Sequence, residues 1–250
     1  MSFVDLEVRE GLATVRLERG KVNALNEQVV DELSRCFREL GADPAVRGIL
    51  LTGTGKFFSF GFDIPEFLGV SKEEFARYLR MFTTLYRELF VHPRPVVAAL
   101  NGHTVAGGCM LATACDARVM AKENGKIGLN EIGFGSSLFA GSLEILRFWV
   151  GGRRAQEVAY GGALYTAEQA LALGLIDAAV PGDALLKEAR GRLEQLARRS
   201  PDAFRSIKRL LRQPVAEEMQ RREEASIQEF VDVWYSDETR AELAKIQIRA

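Results

Sequence analysis

Glu131 ends the stretch Ile127-Gly128-Leu129-Asn130-Glu131 and is flanked by Leu129, Ile132 and Phe134. Apolar neighbours desolvate a carboxyl group and raise its pKa, which is what a proton-transferring base near neutral pH requires. Upstream lies Asn101-Gly102-His103-Thr104-Val105-Ala106-Gly107-Gly108-Cys109-Met110-Leu111, rich in small residues. A helix opening at Gly107-Gly108 has unpaired N–H groups and a partial positive charge, and two glycines let a ligand oxygen approach without Cβ obstruction. One base and one set of free N–H groups are the parts needed to form and hold an enolate. Each part also has a plainer reading: Glu131 as a surface residue at a loop tip, Gly107-Gly108 as close helix packing.

A second source of N–H groups is Ser59-Phe60-Gly61-Phe62-Asp63. Gly61 permits an unusual backbone conformation that turns the Phe62 N–H out of a ladder and into a cavity; the alternative is a simple strand-to-helix turn capped by Asp63. Other chemistries find no support. His92 and His103 are too few for a multi-histidine metal site, no G-x-S-x-G elbow is present, Gly53-Thr54-Gly55-Lys56 lacks P-loop spacing, and G-x-G-x-x-G does not occur.

These residues need elements to hold them. Ala13, Val15 and Leu17 alternate with polar residues as in a half-buried strand. Val29, Val30, Leu33, Cys36, Phe37 and Leu40 form the stripe of a helix that Asn23 to Asn26 lead into. Gly48 to Thr52, Pro95 to Leu100, Asp116 to Ala121 and Leu175 to Val180 are predicted strands, and residues 72 to 91 a helix. Asp63, Pro65 and Glu66 predict a helix start with a capping box. A short helix follows Gly107. Residues 141 to 174 read as helical with breaks at Gly151-Gly152 and Gly161-Gly162, and the charged chain from 183 onward is helical, divided by Pro201 and Pro214. Short apolar strands alternating with glycine turns and helices give an α/β class. The expected division is a core over 1–190 and a helical C-terminal subdomain over 191–250.

The chain has 250 residues, 47% of them hydrophobic, enough for a substantial core. Lys+Arg (33) and Asp+Glu (34) nearly cancel, so no global field favours nucleic acid or an anionic membrane, and no apolar run has the length of a membrane span. The first residues lack a secretory pattern, and Cys36, Cys109 and Cys115 read as buried thiols; a cytoplasmic setting is expected.

Taken together, the segments Val22-Asn23-Ala24-Leu25-Asn26, Phe58-Ser59-Phe60-Gly61-Phe62-Asp63, Asn101-Gly102 with Ala106-Gly107-Gly108-Cys109, Cys115-Asp116-Ala117-Arg118 and Gly174-Leu175-Ile176-Asp177 resemble the crotonase, or enoyl-CoA hydratase/isomerase, superfamily. The resemblance implies a spiral of repeated ββα units with a C-terminal helical part used in trimer contacts, as a homotrimer or a dimer of trimers. It implies acyl-CoA thioester substrates, no separate cofactor, and an enolate held by the backbone N–H groups of Phe62 and Gly107. Substrate contacts are expected from Phe60, Gly61, Asp63, Ile64 and Asn130. The family's hydratases carry two glutamates, which fall here at Met110 and Glu131. With the first absent, the pattern resembles the Δ3,Δ2-enoyl-CoA isomerases, with Glu131 as the single proton shuttle; another crotonase reaction and a non-catalytic acyl-CoA-binding role are the alternatives. Phe60 stands where the family usually has a small residue, Ser136, Ser137 and Phe139 follow where acyl-pocket residues are expected, and Lys245 could meet a CoA phosphate.

Overall fold

The computed structural model describes residues 2–123 and 125–246. Strands β1 (Val4–Arg9), β2 (Leu12–Leu17), β3 (Gly48–Gly53), β5 (Val96–Leu100), β7 (Ala117–Ala121) and β9 (Ala178–Val180) form one sheet in that order, antiparallel at β1–β2 and parallel elsewhere. A second sheet joins β4 (Phe57–Ser59), β6 (His103–Val105) and β8 (Ile127–Gly128) in parallel. Consecutive strands therefore alternate between sheets, β3 then β4, β5 then β6, β7 then β8, and each step around this spiral brings a loop to the same region of the molecule. That alternation gathers Phe62, Gly107 and Glu131, which follow β4, β6 and β8.

The inner strands are covered on both faces, which is why they read as continuous apolar runs. On one face Leu50, Val97, Ala99 and Val119 meet Leu185, Ala189, Leu193 and Ala197 of α7 (Leu185–Ala197). The other face carries the main core, closed by α1 (Glu27–Ala42) and α3 (Lys72–Phe90). Helix α1 buries the predicted stripe from Val29 to Leu40, and Asn26 caps it by accepting from the Val29 N–H at 3.1 Å.

Several expectations are corrected. β1, whose Val4, Leu6 and Val8 alternate with charged residues, carries the period-two pattern of a strand yet is absent from the expected elements, and β4, β6 and β8 are only two or three residues long. The strand expected from Leu175 begins only at Ala178: Gly174 ends α6 (Ala167–Leu173) at φ +82°, and the Leu175 N–H is still bonded to Ala170. Asp63 does cap α2 (Ile64–Phe67), but the Glu66 carboxylate turns to Arg19 and Asn26 rather than completing a capping box. Pro214 does not divide the tail. It sits inside α8 (Pro201–Trp234), a single 34-residue helix. An internal proline costs about 3 kcal/mol, and tertiary anchoring offsets it. The Arg212 guanidinium donates to the Phe90 carbonyl at 2.8 Å and pairs with Asp116 at 3.0 Å, while Ala216 and Met219 are buried just beyond.

Position 190 lies within α7, and residues of α8 and α9 (Asp237–Leu243) join the same core as the strands. The anchor of α8 is ionic. Asp116 accepts from Lys208 Nζ at 2.8 Å and pairs with Arg212; both cations are buried and Asp116 is half-buried beside them. Asp116→Ala leaves two buried cations without their carboxylate and is expected to cost about 3–5 kcal/mol in denaturant unfolding; a loss below 1 kcal/mol refutes the anchor.

Candidate active site

The loop after β4 is clamped by the segment preceding α1. The Phe60 N–H bonds to Val22, the Leu25 N–H to Gly61 at 2.7 Å, and the Asp63 N–H to Leu25 at 3.0 Å. Ser59 Oγ donates to the Asn23 carbonyl, and Asn23 Nδ2 to Thr54 and Phe57. Arg19 ties the far end through Asp63 at 2.7 Å. This clamp uses the N–H groups on either side of Phe62, and the Phe62 N–H itself donates to no acceptor among the described residues.

The loop fits against the start of α4 (Gly107–Ala114) with almost no clearance. Gly61 has φ +95°, and a Cβ there would sit 3.0 Å from the Gly107 nitrogen. A Cβ on Gly107 would lie 3.0 Å from the Phe62 ring. Ala106, before α4, is a non-glycine residue at φ +50°, a strained conformation held by its N–H bond to Gly128. The Gly107 N–H, at the start of α4, also lacks an acceptor among the described residues. Two N–H groups without acceptors therefore stand on closely packed segments, the Phe62 loop and the start of α4.

Glu131 opens a short 3-10 turn, Glu131–Phe134, just after β8. Gly135 closes the turn, and Thr239 of α9 holds the Gly135 carbonyl at 2.7 Å. Glu131 is 4% exposed, which rejects the loop-tip reading, and its Oε2 has no partner among the described residues. Burial pushes its carboxyl up to about 8, against which its own backbone hydrogen bond acts weakly.

Donors and base border one cavity of about 50 Å3. Phe60, Phe62 and Ile64 line it from the β4 loop, Val105 to Gly107 and Met110 from β6 and α4, and Asn130, Glu131 and Phe134 from the turn after β8. Of the expected site residues, Gly61 and Asp63 do not border it. Gly61 is packed against α4, and Asp63 is committed to Arg19 and the α2 cap. Ser136, Ser137 and Phe139 do not line it either, and Lys245 pairs with Glu242. Met110 is among the residues that line the cavity.

Sequence reasoning missed the wall supplied from the C-terminal region: Phe230 and Trp234 of α8, with Ile246 beyond α9. The stripe Ile227, Phe230, Val231, Trp234 has helical spacing and marks a buried face, but spacing does not say what that face meets. Phe230 stacks on Phe139 at 4.4 Å, and the Trp234 ring packs tilted against Phe75 at 4.7 Å.

A two-sheet spiral with a buried carboxylate and free backbone donors around an apolar cavity is the architecture of the crotonase-type acyl-CoA enzymes. The chain belongs to the enoyl-CoA hydratase/isomerase family, whose model matches residues 7–245. It is 36% identical over 192 residues to a putative enoyl-CoA hydratase of Thermus thermophilus, covering 76% of this chain and 75% of that one. It is 32% identical over 240 residues to the mouse mitochondrial enoyl-CoA delta isomerase 1, covering 91% and 80%. The structure of human mitochondrial delta3-delta2-enoyl-CoA isomerase superposes with a TM-score of 0.93 at 28% identity, over 97% of this chain and 96% of that one.

Proposed function

We propose that this protein is a Δ3,Δ2-enoyl-CoA isomerase in which Glu131 is the sole proton shuttle. The observation that carries the reading is that Glu131 is the one ionisable side chain among the described residues lining the cavity, which Met110 also lines. Adding water across a double bond in this family uses two carboxylates on one water; moving a double bond needs one base and a dry pocket. The Glu131 carboxylate takes a proton from C2 of a 3-enoyl thioester. The C–H electron pair passes into the C2–C1 bond, and charge develops on the thioester oxygen. The Phe62 and Gly107 N–H groups stabilise that oxygen, a contribution of roughly 2.7–4 kcal/mol for one such donor. The carboxylic acid then returns the proton at C4 as the double bond settles between C2 and C3. The mouse and human isomerases that the chain resembles support this choice, and the Thermus relative keeps hydratase chemistry as the second reading.

The test is incubation with 3-enoyl-CoA in deuterated water, followed by mass spectrometry and NMR. A 2-enoyl product in which the substrate's own C2 proton has moved to C4 with little deuterium taken up, and without 3-hydroxyacyl-CoA, is the expected result; accumulation of 3-hydroxyacyl-CoA overturns it. The pH profile provides a second check. Only the ionised form of Glu131 can take the proton, and its pKa is about 8. The logarithm of kcat/KM is expected to rise with unit slope and level off above about pH 8, with pH 6 about 100-fold below the plateau. A flat profile between pH 6 and 9 contradicts Glu131 as the base.

The reading calls for no cofactor beyond the CoA of the substrate and extends to a cytoplasmic homotrimer or dimer of trimers. Ile207, Leu210 and Leu211 form an exposed apolar patch on α8 that a second copy of the chain would cover. The three buried thiols suit a reducing compartment, and no helix among the described residues is long and apolar enough to cross a membrane.

A further inference from the structure

Among the described residues, no other side chain bonds to the Glu131 carboxylate: its Oε2 has no partner, and the hydrogen bond it does accept comes from its own backbone. Its placement therefore comes from the turn that carries it. Ile132 of that turn is 50% exposed, and a Cβ on Gly133 would meet nothing, so packing holds the outer side of the turn weakly. The hold is on the peptide unit between Gly135 and Ser136. Its N–H donates to the Glu131 carbonyl at 3.0 Å, and its C=O accepts from Thr239 Oγ1 at 2.7 Å. Thr239 is buried on α9, 104 residues further along the chain than Gly135. Helix α9 is in turn fixed to the segment that follows the Phe62 loop. Arg240 Nη2 donates to the Leu68 carbonyl at 2.9 Å, and the Tyr235 hydroxyl, just before α9, donates to the Val70 carbonyl at 2.7 Å. Leu68 closes α2, and the Ile64 N–H at the start of α2 donates to the Phe62 carbonyl at 2.9 Å. A continuous series of hydrogen bonds thus runs from the Phe62 loop through α9 to the backbone of Glu131.

We propose that Thr239 is a positioning residue of the reaction: through the Gly135–Ser136 peptide it fixes the Glu131 turn to α9, and so sets where the base stands relative to the Phe62 loop. This rests on the reading of Glu131 as the proton shuttle. A base that takes a proton at one carbon and returns it at another has little tolerance for displacement, and a misplacement of about 1 Å can cost about 10²-fold in rate. Burial is what pushes the Glu131 carboxyl up, so its titration reports how closely the turn is held against the core. The Cys109 thiol of α4, which feels the Glu131 charge, is itself pushed up by burial and stays neutral, so it leaves that report undisturbed.

Two substitutions at this position test the role. Thr239→Val keeps the shape of the side chain and removes the hydroxyl, while Thr239→Ser keeps the hydroxyl; thermal melts establish that each variant is folded. With 3-enoyl-CoA, Thr239→Val is expected to lower kcat about 10–10²-fold with KM changed by less than about threefold. Thr239→Ser should stay within about threefold of the unmodified protein in both. In deuterated water the Thr239→Val product should carry more solvent deuterium, because a loosened turn lets water exchange the proton in transit between C2 and C4. A second readout needs no turnover. The Glu131 carboxyl is followed by NMR in protein made with 13C-labelled glutamate, its signal assigned by its absence from Glu131→Gln. Its midpoint of about 8 is expected to fall to about 7 or below in Thr239→Val and to hold in Thr239→Ser. A midpoint that does not move in Thr239→Val overturns the proposal, as does a Thr239→Val kcat within threefold of normal or a loss shared equally by Thr239→Ser. If the unmodified protein does not turn over 3-enoyl-CoA, the isomerase reading fails alone and the midpoint decides the role of Thr239. Turnover by the unmodified protein with both readouts unmoved in Thr239→Val sinks the positioning role alone.

Discussion

Glu131→Gln is expected to lower kcat for 3-enoyl-CoA by about 10²–10⁴-fold while thioester binding changes little, and to make the protein more stable. The first effect follows from geometry. Gln is nearly isosteric with Glu, so the walls formed by Met110, Asn130 and Phe134 keep their shape, and only the ability to take a proton is lost. The second effect follows from burial. In the folded protein the carboxyl titrates at about 8 against an ordinary value of 4.5. The folded state therefore holds the proton more tightly than the unfolded chain. Stability from this group is fully present below about pH 4.5 and is lost as pH rises toward 8. The loss above pH 8 is on the order of 5 kcal/mol, of which a buried unpaired amide in the variant gives back about 1–3 kcal/mol. Thermal melts should show Glu131→Gln above the unmodified protein by about 4 °C or more at pH 9 and by little at pH 5. A Tm difference that does not change with pH, or turnover within threefold of normal, removes Glu131 from the role of buried base.

The second large effect is expected at Gly108. A Cβ there would lie 2.5 Å from the Ser59 carbonyl oxygen and 2.8 Å from the Ser59 Cβ. The nearer contact is backbone, and Ser59 is itself fixed to Asn23, so neither side can yield cheaply. Gly108→Ala should pry the β4 loop from α4 and separate the Phe62 N–H from the Gly107 N–H. Loss of aim at one donor costs about 10²–10³ in kcat, and the clash costs about 1–3 kcal/mol of stability. The diagnostic is the split between kinetic parameters: kcat falls far more than KM rises, because the donors meet full charge only as the enolate forms. A variant with normal kcat shows that the two donors are not aligned by this contact.

The candidate site was easier to read in the sequence than the packing around it. The apolar company of Glu131 foretold its burial, and the small residues at 106–108 foretold a tight approach, because both are local patterns. The α1 stripe and the buried central strands were legible for the same reason. Short strands such as β8, two residues long, leave no periodicity to read. Pro214 was misread because local propensity favours a break there, while the Arg212–Asp116 anchor that overrides it joins residues far apart in the chain. Phe230 and Trp234 escaped notice on similar grounds: their spacing marks a buried face, and only the tertiary fold brings that face to a cavity built around Glu131. Asp63 shows the converse, a polar residue beside the site whose carboxylate is taken up by Arg19.

Helix α8 ties two distant places to one rotational phase. Lys208 and Arg212 engage Asp116 near its start, and Phe230 and Trp234 reach the cavity near its end. From Arg212 to Trp234 an α-helix runs about 33 Å and turns about 100° per residue. A single residue inserted between these points swings the aromatic pair away from the cavity by about 100°, whereas four inserted residues return it to within about 40° of its direction, one turn further along the axis. The spacing between the ion cluster and the aromatic pair is thus a length the chain cannot change by one, although no residue between Arg212 and Phe230 lines the cavity.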